Sequence, residues 1–126
     1  MIMTNEELYQ IAKDVNDNTY SPYSKFAVSC AVLTDEGEIF TGVNVENASY
    51  GLTICAERTA IGAAVSAGYK KFKSIAIYVP AKTAPPCGAC RQFIIEFGSD
   101  IDIIFKFNEE VVCRKISELL PYKFEF

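Results

Sequence analysis

Two short segments constrain this chain more than any others: Cys55-Ala56-Glu57, and Pro86-Cys87-Gly88-Ala89-Cys90. The chain contains no histidine, so the all-cysteine version of a catalytic zinc site is the only one open to it. Three thiolates can hold a zinc ion and leave its fourth position to water. Glu57, two residues from the first sulfur, is placed to move protons on and off that water. Both segments fall where a helix begins, and the partial positive charge and free N–H groups there favour thiolates. Cys87 and Cys90, three residues apart, share one side of a first turn. Cys55 has to come from a different helix, so the fold must bring two helix N-termini side by side at one edge of a sheet. Three thiolates donate much charge to zinc and acidify its water less than imidazoles do. Glu57 then matters more as a base, and Arg58 and Arg91 are placed to offset the negative charge.

Other readings stay open at this point. A Cys-x-x-Cys is also the pattern of a redox pair or of half a structural zinc site. A structural site normally takes four protein ligands, and the remaining two cysteines fit that role poorly. Cys30 sits inside the apolar run Val28-Ser29-Cys30-Ala31-Val32 and Cys113 stands beside Arg114. Both read as small core residues. The three-cysteine catalytic site ranks first, ahead of a structural zinc and then a redox pair.

Composition excludes several classes. A chain of 126 residues, half of them hydrophobic and 22% charged, reads as one globular domain over 1–126. No apolar run approaches the roughly 18 residues needed to cross a bilayer, so no membrane partner is expected. The segment Met1-Ile2-Met3-Thr4-Asn5-Glu6-Glu7 lacks the basic and apolar regions of a signal peptide. A cytoplasmic protein with reduced thiols is expected, and five cysteines suit metal binding better than a disulfide framework. A net charge of −4 without a basic run argues against nucleic acid as a partner. A small molecule of low charge fits better.

Thr4-Asn5-Glu6-Glu7 reads as a capping box opening a helix with Leu8, Ile11, Ala12 and Val15 on one face. Tyr20 to Ser24 is a loop, kept from helix by Pro22. Strands are predicted over Phe26 to Thr34 and Glu38 to Val45, around the turn Asp35-Glu36-Gly37. A helix follows from about Ile54 to Ala67, closed by Gly68. Its stretch Ala60 to Ala67 has no polar face and predicts burial all round, with a second copy of the chain as its cover. Ser74 to Val79 reads as a buried central strand, and Ala84-Pro85-Pro86 as a rigid loop. A helix from Gly88 to Phe97, closed by Gly98, comes next. Strands over Ile101 to Phe107 and Val111 to Arg114 flank Asn108-Glu109-Glu110, and a short helix over Ser117 to Leu120 ends at Pro121. The order implies one mixed sheet with helices on its faces.

The chain resembles the small homotetrameric cytidine deaminases. The resemblance is carried by Tyr20-Ser21-Pro22-Tyr23-Ser24-Lys25-Phe26, by Gly42-Val43-Asn44-Val45-Glu46-Asn47-Ala48-Ser49-Tyr50 and by Cys55-Ala56-Glu57-Arg58-Thr59-Ala60. It continues through Pro86-Cys87-Gly88-Ala89-Cys90-Arg91-Gln92 and ends at Leu119-Leu120-Pro121. The His-or-Cys, Glu and Cys-x-x-Cys pattern is that of the zinc deaminases in general. The resemblance implies a three-layer α/β/α fold with a mixed five-stranded sheet, and one zinc per chain held by Cys55, Cys87 and Cys90. It implies Glu57 as the catalytic proton carrier and Arg58 beside the metal. It implies hydrolytic deamination of cytidine and deoxycytidine, in pyrimidine salvage, by a homotetramer. Asn44 and Glu46 then match the pair that binds the ribose hydroxyls, and Phe26 an aromatic against the base. The carbonyl of Ala56 and the N–H of Cys87 orient the base, while Tyr50 and Phe124 match residues that reach a neighbour's site. Two segments depart from the family: Gly51 to Ile54 before Cys55, and a tail cut to Glu125-Phe126 after Phe124. Blasticidin S deaminase shares Phe40 to Val45 and both cysteine steps, but Glu46-Asn47-Ala48 and Arg58-Thr59-Ala60 fit cytidine deaminase better.

Overall fold

The computed structural model describes residues 3–81, 83 and 85–126. Five strands form one sheet in the order β2-β1-β3-β4-β5. They are β1 (Ser29–Thr34), β2 (Ile39–Val43), β3 (Phe72–Tyr78), β4 (Asp102–Phe107) and β5 (Glu110–Lys115). Only β3 and β4 run parallel; the other neighbours are antiparallel. The helices are α1 (Asn5–Asp14), α2 (Ala56–Ser66), α3 (Gly88–Ile95) and α4 (Ile116–Leu119). The element order and the mixed five-stranded sheet are as expected.

Alternation along the strands assigns the two faces. Ala31 and Leu33 of β1, Ala76 of β3 and Ile104 of β4 pack with Leu8 and Ala12 of α1. Cys30, Val32, Ile75, Ile77, Ile103 and Phe105 face the other way, against Ala56, Ala60, Ile61 and Ala64 of α2 and Ile94 and Ile95 of α3. The result is a three-layer α/β/α arrangement. Cys30 is fully buried on the α2 side, and half-buried Cys113 packs on the α1 side. Burial pushes both thiols above their ordinary pKa, which suits neutral core residues.

Several boundaries differ from the expected ones, each for a local reason. The first strand begins at Ser29 and not Phe26, because the Asn44 amide takes the Val28 N–H (3.2 Å) and the Phe26 carbonyl (2.8 Å). Helix α2 begins at Ala56 and not Ile54, because Ile54 is held extended by two backbone bonds to Val45, 2.9 and 3.0 Å. Phe107 pairs with Glu110, so the β4–β5 turn is Asn108-Glu109 alone. Both turn residues have positive φ, 50° and 69°, the backbone of a two-residue hairpin that matches strand twist. Of the expected loop Ala84-Pro85-Pro86, Ala84 lies outside the described residues.

The chain path sets the two functional helix ends together. Helix α3 follows β3 and therefore starts at that strand's C-terminal end. Helix α2 precedes β3 and runs back antiparallel to it, so it starts at the same end. Gly42 on β2 lets α2 lie close. A Cβ there would stand 2.4 Å from Ala60 N and 2.6 Å from the Ala56 carbonyl oxygen, distances that backbone atoms cannot accommodate without moving.

Candidate metal centre and active site

The Sγ atoms of Cys55, Cys87 and Cys90 lie within 4.8 Å of one another. Cys55 is the N-cap residue of α2 and Cys87 that of α3. The Cys87 sulfur accepts the N–H of Cys90 at 3.4 Å, so the α3 turn shapes its own cysteine pair. Cys55 makes no side-chain capping bond, and its sulfur is turned to the other two. A tetrahedral zinc with sulfur ligands needs sulfurs about 3.8 Å apart, which lies inside this spacing.

The electrostatics of Cys55 and Cys90 follow from the same closeness. Cys55 is drawn down to about 6, first because the Cys90 thiol donates to its sulfur, with Cys87 and the Arg58 charge adding to the effect and burial opposing it. Cys90 is pushed up, chiefly because it gives that hydrogen bond, and further by burial and by Glu57. These shifts are one interaction seen from both ends: the sulfurs share protons, since three thiolates at this spacing repel. A divalent cation would remove the repulsion, and three sulfur donors with an open fourth position suit zinc. Among the described residues no other group of three such ligands converges.

Glu57, on the first turn of α2, is only 4% exposed. Burial raises its carboxyl above the usual range and the nearby Cys55 adds to this, while its own backbone N–H and the Cys90 thiol act the other way. A carboxyl raised toward neutrality both takes and gives protons efficiently. Glu57, the three cysteines, Ala56, Phe26 and Asn44 all line one cavity of about 270 Å³. Val28, Ile77, Val79, Thr53, Ile54, Thr83 and Pro85 complete the described lining. The sequence did not single out these completing residues, since apolar and small polar side chains next to strands and loops carry no chemical signal of their own.

The remaining candidates stand elsewhere. Glu46 is buried but is absent from the cavity's lining. Its carboxylate accepts the N–H groups of Tyr23 (3.0 Å) and Ser24 (3.1 Å) and the Ser24 hydroxyl. Tyr50 is 85% exposed and Phe124 69%; neither lines the cavity of its own chain. Phe124 rests on Phe126 and is fixed through its backbone to the Gln92 side chain by bonds of 3.0 and 3.1 Å. The Arg58 guanidinium lies 5.9 Å from the Phe93 ring centre and close enough to Cys55 to favour its thiolate. Arg91, expected to offset the thiolate charge, instead donates to the carbonyls of Pro86 (2.9 Å) and Leu119 (2.8 Å). It ties the cysteine loop to α4. As the first helical residue, Ala56 directs its carbonyl down the helix, beside Ala60 N. Ala56 itself lines the cavity.

The chain matches, over residues 3–106, the model of the cytidine and deoxycytidylate deaminase zinc-binding region. It is 48% identical over 118 residues to a probable cytidine deaminase of Dictyostelium discoideum, covering 92% of this chain and 80% of that one. A blasticidin-S deaminase of Bacillus cereus is 34% identical over 127 residues, with 94% and 90% covered. The crystal structure of cytidine deaminase from Burkholderia pseudomallei superposes with a TM-score of 0.91 at 42% identity, over 97% of this chain and 100% of that one. Sulfur cluster, buried glutamate and matched region agree, and the chain belongs to the cytidine and deoxycytidylate deaminase family.

Proposed function

We propose that this protein is a zinc-dependent cytidine deaminase, converting cytidine and deoxycytidine to uridine and deoxyuridine with release of ammonia. The observation that carries this reading is the meeting of three sulfurs and a buried carboxyl at one wall of a cavity otherwise lined largely by apolar side chains. Zinc held by Cys55, Cys87 and Cys90 supplies, when bound, an activated water. Glu57 accepts a proton from the attacking water and passes it to the ring nitrogen, which makes the amino-bearing carbon electrophilic. It then helps protonate the departing ammonia. The Ala56 backbone and the Cys87 N–H orient the base, and Phe26, Val28, Ile77 and Val79 exclude water around it.

Asn44 and Glu46 bind the ribose in this reading. Asn44 lines the cavity, and its bonds to Phe26 and Val28 leave one amide hydrogen for a sugar hydroxyl. Tyr50 and Phe124 serve a neighbouring chain's cavity in a homotetramer. Two features support assembly: both aromatics are exposed, and so are Gly62, Ala63 and Val65 on the outer side of α2. Light scattering should then report about four chains per particle; a fully active monomer would remove the shared-site roles. The protein acts on free nucleosides in pyrimidine salvage in the cytoplasm, without nucleic acid. No helix among the described residues is long and apolar enough to cross a membrane.

The test offers purified protein cytidine, deoxycytidine, blasticidin S and cytidine monophosphate in parallel. Both nucleosides should turn over and the monophosphate should be poor. Turnover of blasticidin S in preference would move the reading to the activity named for the Bacillus cereus relative. Failure to turn over cytidine would contradict it.

A further inference from the structure

We infer that Ser24 is a positioning residue, linking the buried Glu46 carboxylate to the backbone of Phe26 and so fixing the aromatic wall of the cavity. Phe26 lines the cavity, yet the residue is 48% exposed. Side-chain packing alone leaves such a ring free to turn or withdraw, so where it stands depends on what holds its backbone.

That backbone is held at both ends. Its N–H donates to Ser24 Oγ at 3.0 Å, and its carbonyl accepts from Asn44 Nδ2 at 2.8 Å. The Ser24 hydroxyl in turn donates its hydrogen to Glu46 Oε2, giving and receiving at once through one oxygen. The other Glu46 oxygen takes the N–H groups of Tyr23 and Ser24. These donors hold the Glu46 carboxyl below its ordinary range, the Ser24 hydroxyl first among them, so the anchor is an anion. Lys25 completes the device. Its φ of 61° lies in the left-handed region that residues with a Cβ avoid, and its N–H bonds the Ser21 carbonyl at 3.1 Å. The sharp turn there aims the next N–H, that of Phe26, back at Ser24.

Glu46 itself is fixed by the Tyr20–Val45–Ile54 bridges, with its N–H on the Tyr20 carbonyl at 2.8 Å. Asn44 and Glu46 thus grip one aromatic residue from two sides, Asn44 directly and Glu46 through Ser24. Whatever pulls on either residue moves the ring. Resting on the nucleoside reading above, this means that sugar recognition and base placement are one mechanical unit, with Ser24 as the joint.

The test uses S24A, S24T, F26A and the S24A/F26A pair as full-length, zinc-loaded protein. Ser24 is exposed, so the Thr methyl has room and the hydroxyl is kept. S24A should retain zinc and speed hydrogen exchange at the Phe26 amide by about tenfold or more. Its kcat/KM on cytidine should fall by about ten- to hundredfold, the range for losing a hydrogen bond to a charged group, with KM rising more than kcat falls. S24T should stay within about threefold of wild type, and adding S24A to F26A should cost little more than F26A alone, since contacting residues couple. Unchanged Phe26 exchange in S24A, or S24A and F26A effects that simply multiply, would overturn the inference. A wild-type protein inactive on cytidine would instead count against the nucleoside reading, and the exchange comparison would still decide whether Ser24 holds Phe26.

Discussion

Helices α1 and α2 begin in opposite ways. Thr4 caps α1 with its side chain on Glu7 N (3.1 Å), and the Glu7 carboxylate returns to Thr4 N (2.9 Å). This reciprocal box satisfies donors that a helix start otherwise leaves open. The N-cap of α2 is Cys55, which makes no side-chain capping bond, and the first two helical residues, Ala56 and Glu57, are buried. The α1 end is closed by its own side chains, whereas the α2 end is buried, uncapped and set among the three sulfurs. The sheet separates the two, with α1 on one face and the cavity-bearing helices on the other.

Changes at the open end should act on chemistry and changes at the closed end on stability. Glu57→Gln should keep zinc and lose turnover by about 10²–10⁴-fold, the usual contribution of a general acid–base group. Retention of a third of the wild-type rate would end that role. Gly42→Ala comes next, because it forces a Cβ against Ala60 N and the Ala56 carbonyl. The first turn of α2 has to shift, at a cost of about 1–3 kcal/mol of stability, and misplacement of the site should lower kcat up to about 10²-fold. A thermal melt and kcat measured on the same sample check both, and normal kcat would show that α2 is seated by something else. The smallest change is Thr4→Ala, which should cost about 1 kcal/mol and leave kcat and zinc content as they were. An activity loss there would blur the division between the two helix ends.

Much of this was legible in the sequence because it is written in local patterns. The capping box, the turn at Asp35-Glu36-Gly37, the apolar run Ser74 to Val79 and the two cysteine steps each sit in a few consecutive residues. What was not legible depends on side chains reaching remote backbone. Asn44 shortens β1 by binding Phe26 and Val28, sixteen or more positions away. Glu46 straps the Tyr23–Ser24 loop, and Arg91 clips Pro86 to Leu119. Such bonds leave no periodicity. Gly42 is a similar case, since its meaning lies in the helix packed on it and not in its neighbours.

The most direct test of the account is zinc bound per chain, by elemental analysis after metal-sparing purification, in wild type and in five single Cys→Ser variants. One zinc per chain is expected in wild type, and in the Cys30 and Cys113 variants, whose thiols are core residues on opposite faces of the sheet. The Cys55, Cys87 and Cys90 variants should each lose most of it, along with stability, since a three-sulfur site couples metal binding to folding. Wild-type protein with far less than one zinc, or loss of zinc on replacing Cys30 or Cys113, would contradict the site itself.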